Sequence, residues 1–292
     1  MKLLKKIMFE LYPENGQIRP YETPFGYVFR GVLMKWLSEI KPELVHLLHD
    51  YEQIRPYSIN RYIHKHIPKI DFSLTTYNDS ISDALLQDLL TDENAEFIAG
   101  EKKYYISKIM FEKVNLKQIF EQANPIKSLN IRFATPTYFN TSMGDYPVRF
   151  PLPALLFGNL ANIWNDISKE IAEIERDQFI SWVNAHVYIS YYKMKTVKRN
   201  IGKPKPVYGG IGNASFRVKR MNKMYYKHVL EELGRSQDHE YVNQDYQDNC
   251  RWLEVLCRLG EYTNVGANRT AGLGVIKYYP KLYLKHKDLL SK

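Results

Sequence analysis

Cysteine is scarce. The 292 residues hold two, Cys250 and Cys257, too few for a disulfide framework or a four-thiolate zinc site. They stand seven apart on an apolar helical stretch and read as two core residues facing one way. Long apolar runs are also missing, so no segment is expected to span a bilayer, and residues 1–10 lack the apolar centre of a signal peptide. A soluble, cytoplasmic chain with no membrane partner is the expectation. There is no Gly-x-Ser-x-Gly elbow and no paired-acid site, since Asp83, Asp88 and Asp92 read as the wet side of a helix. Gly202-Lys203 runs into Pro204 rather than Ser or Thr, which excludes a phosphate-binding P-loop. His46 with His49, and His64 with His66, lack a third ligand, so neither a metal nor a cofactor is expected. Helix-turn-helix and zinc-finger patterns are absent too, which weighs against a DNA-binding protein.

One stretch lacks acid altogether. Residues 190–228 carry eleven of the 41 Lys and Arg and none of the 32 Asp and Glu, so the rest of the chain holds 30 bases against 32 acids. The formal charge of +9 is therefore a local property. The cations are Lys193, Lys195, Lys198, Arg199, Lys203, Lys205, Arg217, Lys219, Arg220, Lys223 and Lys227. Tyr191, Tyr192, Tyr208, Phe216, Tyr225 and Tyr226 interleave with them. Cations pair with phosphates and rings stack on unpaired bases, so this segment points to RNA or DNA.

Periodicity supplies the architecture. Alternation over residues 3–11 predicts a strand. Thr23 and Pro24 open a helix whose buried face is Phe25, Val28, Phe29, Val32, Leu33, Trp36 and Leu37, with Tyr27, Arg30, Met34, Lys35 and Ser38 opposite. Strands over 55–63 and 67–76 follow, then a helix from 79 or 80 to 90 with Ser80-x-x-Asp83 as its capping box, then a strand over 104–114. Residues 121–127 are the linker. The second half repeats the order: strand 128–138, helix 155–174, paired strands 186–195 and 207–219, helix 250–259 and strand 275–284. Strand–helix–strand–strand–helix–strand, twice over, predicts an α+β chain of two tandem ferredoxin-like domains, 1–127 and 128–292.

The most informative segment is Gly266-Ala267-Asn268-Arg269-Thr270-Ala271-Gly272-Leu273-Gly274. A dinucleotide loop follows a strand and opens a helix. Here a helix precedes the loop and a strand follows it, which excludes that site. What remains is a loop whose backbone can approach another surface closely.

Together these residues resemble the CRISPR repeat-processing endoribonucleases, the Cas-six family of the repeat-associated RNA-binding superfamily. The resemblance runs through Gly31-Val32-Leu33-Met34-Lys35-Trp36-Leu37-Ser38 to Leu48-His49, then Phe133-Ala134-Thr135-Pro136-Thr137-Tyr138-Phe139, then Gly260-Glu261-Tyr262-Thr263 and the glycine loop. It implies cleavage of the repeat transcript into guide RNAs without metal, by 2′-hydroxyl attack that leaves a 2′,3′-cyclic phosphate and a 5′-hydroxyl. By the family's Leu-His pattern His49 is the general acid/base, and Arg55 takes the place of a downstream Lys. His46, one helical turn away, is the rival. Met34 stands where some members carry a Tyr, which leaves Tyr27, Lys35, Tyr51 and Tyr57 to complete the catalytic site. The RNA-binding set is Lys198, Arg199, Lys203, Lys205, Arg217, Lys219 and Arg220, with Gly266, Asn268, Arg269, Thr270, Gly272 and Gly274 of the loop. CRISPR repeat RNA is the implied partner, with a CRISPR effector complex and a homodimer as further ones. The competing reading is a non-catalytic guide-RNA-binding subunit of the same fold.

Overall fold

The computed structural model describes residues 3–16, 26–49, 54–64, 66–91, 96–99, 102–141, 144–201, 206–235 and 237–280. The proposed helix start at Thr23-Pro24, together with Phe25, Tyr51, Asp92, Lys203 and Lys205, lies outside them.

The first unit runs β1 (Leu3–Pro13), α1 (Gly26–Ile40), α2 (Val45–His49), β2 (Tyr57–Ile63), β3 (Ile70–Thr76), α3 (Asp79–Thr91), β4 (Glu96–Ala99) and β5 (Lys102–Asn115). Its sheet has the order β2-β3-β1-β5-β4, and every pairing is antiparallel. Ile7, Phe9 and Leu11 alternate into a core shared with Phe29, Leu33 and Leu37 of α1. Phe29 stacks on Phe72 of β3 with ring centroids 4.5 Å apart. Each fully buried side chain of this size contributes about 2 kcal/mol through its removal from water. Helix α3 is capped by Asn78, whose Oδ1 accepts from the Ile81 N–H. The expected box at Ser80 and Asp83 sits two residues too late, because the chain turns into the helix at Asp79.

The second unit runs α4 (Leu116–Glu121), β6 (Ser128–Thr137), β7 (Phe139–Thr141), β8 (Gly144–Val148), α5 (Pro153–Ser168), α6 (Arg176–His186), β9 (Val187–Arg199), β10 (Val207–Val218), α7 (Lys223–Glu232), α8 (His239–Thr263) and β11 (Ile276–Tyr279). Its sheet order is β11-β6-β10-β9. In each unit the first strand lies between the third and the last, with the second outside the third, so the chain carries two tandem ferredoxin-like folds.

Strands β4, β7 and β8 and helices α4 and α6 add to the expected order, and three further helices differ from it. The helix expected over 155–174 stops at Ser168, where the Asn165 side chain bonds the backbone N–H and C=O of Ile174 and turns the chain into α6. Helix α7 starts on an Asn222 cap inside the basic segment. Helix α8 begins at Asp238, which accepts from the Tyr241 N–H, twelve residues before its apolar end at Cys250. Its polar first half still keeps the three-four spacing of Val242, Tyr246 and Cys250, all buried. Both cysteines are buried and unpaired, and burial pushes the Cys250 thiol up to about 11. The second core also takes Leu4, Val114, Leu116 and Ile119, all from before residue 127. Among the described residues, no helix is long and apolar enough to cross a membrane.

Candidate active site and RNA interface

The glycine loop is a wedge between the two folds. Its 3-10 turn, Arg269–Ala271, is flanked by left-handed Asn268 and Gly272. Against the second fold, Ala267 N–H donates to Tyr138 O at 2.9 Å, Gly274 N–H to Pro136 O at 3.2 Å and Val275 N–H to Thr135 Oγ1 at 2.9 Å. The Gly266 N–H donates to Asn159 Oδ1 at 2.8 Å. Gly274 has φ +71°, and a Cβ there would stand 1.8 Å from Val265 O, so only glycine closes this loop.

Against the first fold, the turn packs on α1 and β2. Gly26 approaches so closely that a Cβ would stand 1.8 Å from Ala271 O. The Tyr27 hydroxyl donates to Asn268 Oδ1 at 3.3 Å, and Asn268 Nδ2 donates to the Tyr138 hydroxyl. Arg55 Nη1 donates to Thr270 Oγ1 at 3.3 Å. Asn264 Nδ2 reaches Ile59 O at 3.0 Å, and Ser58 Oγ donates to Tyr262 O at 2.6 Å. Residues 135–138 and the glycine loop thus meet the start of α1 and the entry to β2 at one seam.

The seam is cationic and aromatic. Arg30 is buried on α1, its guanidinium over the Tyr27 ring, and its Nε has no hydrogen-bond partner. Arg269 is also buried and donates to Thr263 O at 2.8 Å. No ion pair among the described residues involves Arg30 or Arg269. Burial pushes the Tyr57 phenol above its ordinary value, opposed by the charges of Arg30 and Arg55. Burial likewise takes Tyr77 up to about 12, against the charge of Arg269. The Tyr77 hydroxyl donates to Arg55 O and holds that segment in place. Unbalanced guanidinium charge in a partly dry seam favours an anion such as a phosphodiester.

The basic segment forms β9, β10 and the start of α7. Lys193, Lys195, Lys198, Arg199, Arg217, Lys219 and Arg220 are exposed, and the only ion pair among the segment's described cations is Lys227 with Glu231. Tyr191, Tyr192 and Tyr208 are exposed, whereas Phe216 and Tyr226 are core residues. Within this segment the exposed rings are therefore those of the hairpin, with Tyr225 half-buried. Register extends the patch across the sheet. Lys277 of β11 stands beside Arg132 of β6, Arg132 beside Asn213 of β10, and Asn213 beside Lys193 of β9. At the far end Arg199 lies near β2: burial first, then the Arg199 charge, brings Arg61 down to about 10.

A family profile described as CRISPR-associated endoribonuclease Cas6 matches residues 131–276, half of the chain. The chain belongs to this Cas6 family. Among solved structures, a Cas6 product complex superposes with a TM-score of 0.73 at 18% identity, covering 94% of this chain and 100% of that one. Cas6 from Thermus thermophilus gives 0.67 at 19%, covering 96% and 99%. A Cas6-related protein from Pyrococcus furiosus gives 0.53 at 12%, covering 94% and 98%. At such identities the likeness is one of fold. No curated protein matches the sequence.

Within this Cas6 fold the expected catalytic residues are spread around α1 and α2. The backbone of His49 ends α2, next to the fully buried Leu48; its side chain lies outside the described part. His46 is exposed on the same short helix. Tyr27 and Arg55 are at the seam. Lys35 is exposed and pairs with Glu39 at 3.8 Å, with no bond to the loop. Arg30 was expected on the solvent face of α1 and is instead covered by the turn, which packs on that side of the helix. Only its lone charge beside Phe29 hinted at this. Arg132 and Lys277 were likewise not picked out by sequence, since strand register decides which cations share a face. Among the described residues no three His, Cys, Asp or Glu side chains group as metal ligands.

Proposed function

We propose that this Cas6 chain cleaves CRISPR repeat RNA at one phosphodiester, without metal. The 2′-hydroxyl attacks the adjacent phosphorus and gives up its proton as the new P–O bond forms. The 5′ oxygen leaves and takes up a proton, so the ends are a 2′,3′-cyclic phosphate and a 5′-hydroxyl. His49 moves one of these protons, a task suited to an imidazole titrating near neutrality. Arg55 offsets charge on the crowded phosphorane, and buried Arg30 adds to the same field. His46 is the alternative imidazole, with Tyr27 and Lys35 as further candidates. Lys198, Arg199, Lys203, Lys205, Arg217, Lys219 and Arg220 hold the RNA backbone. Gly266, Asn268, Arg269, Thr270, Gly272 and Gly274 shape the seam in which the scissile phosphate lies.

The observation that carries this reading is the convergence of α1, residues 133–139 and the glycine loop on a seam with Arg30, Arg55 and Arg269. The test uses repeat RNA from the chain's own genome in EDTA, beside the same RNA with a 2′-deoxy nucleotide just upstream of the cut. Cleavage of the first alone, ending in a cyclic phosphate, is expected. His49→Ala is expected to lower the rate at least about 100-fold with binding nearly unchanged. If His46→Ala does so instead, the roles of the two histidines are exchanged. Tight binding with the RNA left intact overturns the enzyme reading in favour of a non-catalytic RNA-binding subunit.

A further inference from the structure

Behind the glycine loop, on the side of α5, lies a cavity of about 270 Å³ that the cleavage chemistry does not use. This is just under the roughly 300 Å³ at which sites for drug-sized ligands begin, which suits a single nucleobase. Its floor is apolar, formed by the Phe139 ring and by Gly158 and Gly266, which have no side chains to narrow it. Its rim is polar and holds no carboxylate: Asn140 comes from β7, Asn159 and Asn162 from α5, and Arg176 from the start of α6. The cavity shares Gly266 and Ala267 with the loop. The next residue, Asn268, bonds Tyr27 across the seam, so an occupant of the cavity lies beside the seam itself.

The rim presents donors in fixed places. A backbone N–H can only donate, so the bond from Gly266 N–H to Asn159 Oδ1 at 2.8 Å fixes which way that carboxamide points. Its Nδ2 is then left as a donor. Arg176 reaches over Gly158, where a Cβ would stand 3.9 Å from Nη2. Its Nη1 is held by Asp177 Oδ1 at 2.8 Å. A guanidinium and an amide N–H converging on one base complement an edge with two acceptors. Guanine has such an edge in O6 and N7, whereas adenine puts an amino donor in place of O6. Asn140 and Asn162 flank the pair and can each donate or accept.

We propose that this cavity takes an unpaired guanine of the repeat RNA next to the cut, read on its O6 and N7 by Arg176 and Asn159. The inference rests on the reading of the chain as a repeat-RNA endoribonuclease and adds the residues that choose the base. Fluorescence anisotropy on the 2′-deoxy repeat RNA tests it, because binding is then read without cleavage. Each unpaired nucleotide of the repeat is changed in turn to each of the four bases. At one position guanine is expected to bind about tenfold tighter than adenine. At that position 7-deazaguanine, which lacks N7, loses the advantage, and inosine, which keeps O6 and N7, retains it. Arg176 is half exposed, so Arg176→Gln keeps the fold. Gln offers one donor and one acceptor, the complement of adenine, and the preference is expected to pass from guanine to adenine. Equal binding of all four bases at every position overturns the proposal. So does an Arg176→Gln chain that binds all four more weakly by the same factor, as a lost phosphate contact would. A guanine preference that follows Arg176 in a chain that cuts no RNA supports the subsite and overturns the catalytic reading alone.

Discussion

Replacing Gly26 with Ala puts a methyl group 1.8 Å from the Ala271 carbonyl oxygen and 2.1 Å from its carbon, both backbone atoms. Ordinary contact starts near 3.4 Å, so the turn must retreat from α1 by about 1.6 Å. Two hydrogen bonds tie the turn and its cap to the first fold: Arg55 to Thr270 and Tyr27 to Asn268, both at 3.3 Å. Each contributes about 1 kcal/mol, so the expected loss is about 2 kcal/mol. Gly31→Ala on the same helix is the matched control. Nothing lies within 4 Å of its Cβ position, and the gain in helix propensity is expected to stabilise by about 1 kcal/mol. Thermal melting should lower Tm for Gly26→Ala, by about 2–4 °C per kcal/mol in a chain of this size, and raise it for Gly31→Ala. Single-turnover cleavage of repeat RNA should fall for Gly26→Ala alone, since only that variant moves Arg55 and Thr270 apart. Two variants that melt and cleave alike would refute the claim that the seam is held by this close approach.

Three further outcomes follow from other parts of the chain. Replacing Lys198, Arg199, Arg217, Lys219 and Arg220 one at a time by Gln should reduce the slope of log binding constant against log salt by about 1 each; an unchanged slope places the RNA elsewhere. Buried His186 accepts the Asn222 N–H on Nε2 and faces Trp182 O with Nδ1, and burial lowers its pKa from 6.5. It is neutral when folded and protonates near 6.5 when unfolded, so its stabilisation is full above that pH and lost as pH falls toward the folded value. Melting at pH 7 and pH 5 should show the decline, and His186→Gln a flatter profile; equal profiles contradict it. The Glu254 carboxylate, 3% exposed, accepts from Asn124 N–H at 2.6 Å and Arg258 Nη2 at 2.7 Å. Glu254→Gln should cost about 2 kcal/mol in urea unfolding, and an unmoved midpoint would count against that role.

Local signals carried most of the element order. Alternation in β1 and the three-four spacing of α1 survive because one side of each faces a core whatever else surrounds it. Reading failed where a single side chain redirected the backbone, as Asn165 does at the end of α5. It also failed where polarity masked periodicity, as in the first half of α8.

The sequence by itself determined the two tandem folds, the confinement of excess charge to residues 190–228, and the unusual helix–loop–strand order around Gly266–Gly274. Those are properties of neighbours along the chain. Only the tertiary structure decided that Arg30 is buried, that Phe216 and Tyr226 belong to the core rather than the basic surface, and that Arg132 and Lys277 share a sheet row. It also decided that the glycine loop closes on Gly26. The physical reason is distance along the chain: Gly26 and Ala271 lie at opposite ends of the sequence. The packing of one backbone on another, and the charge left between them, exists only after both folds have formed.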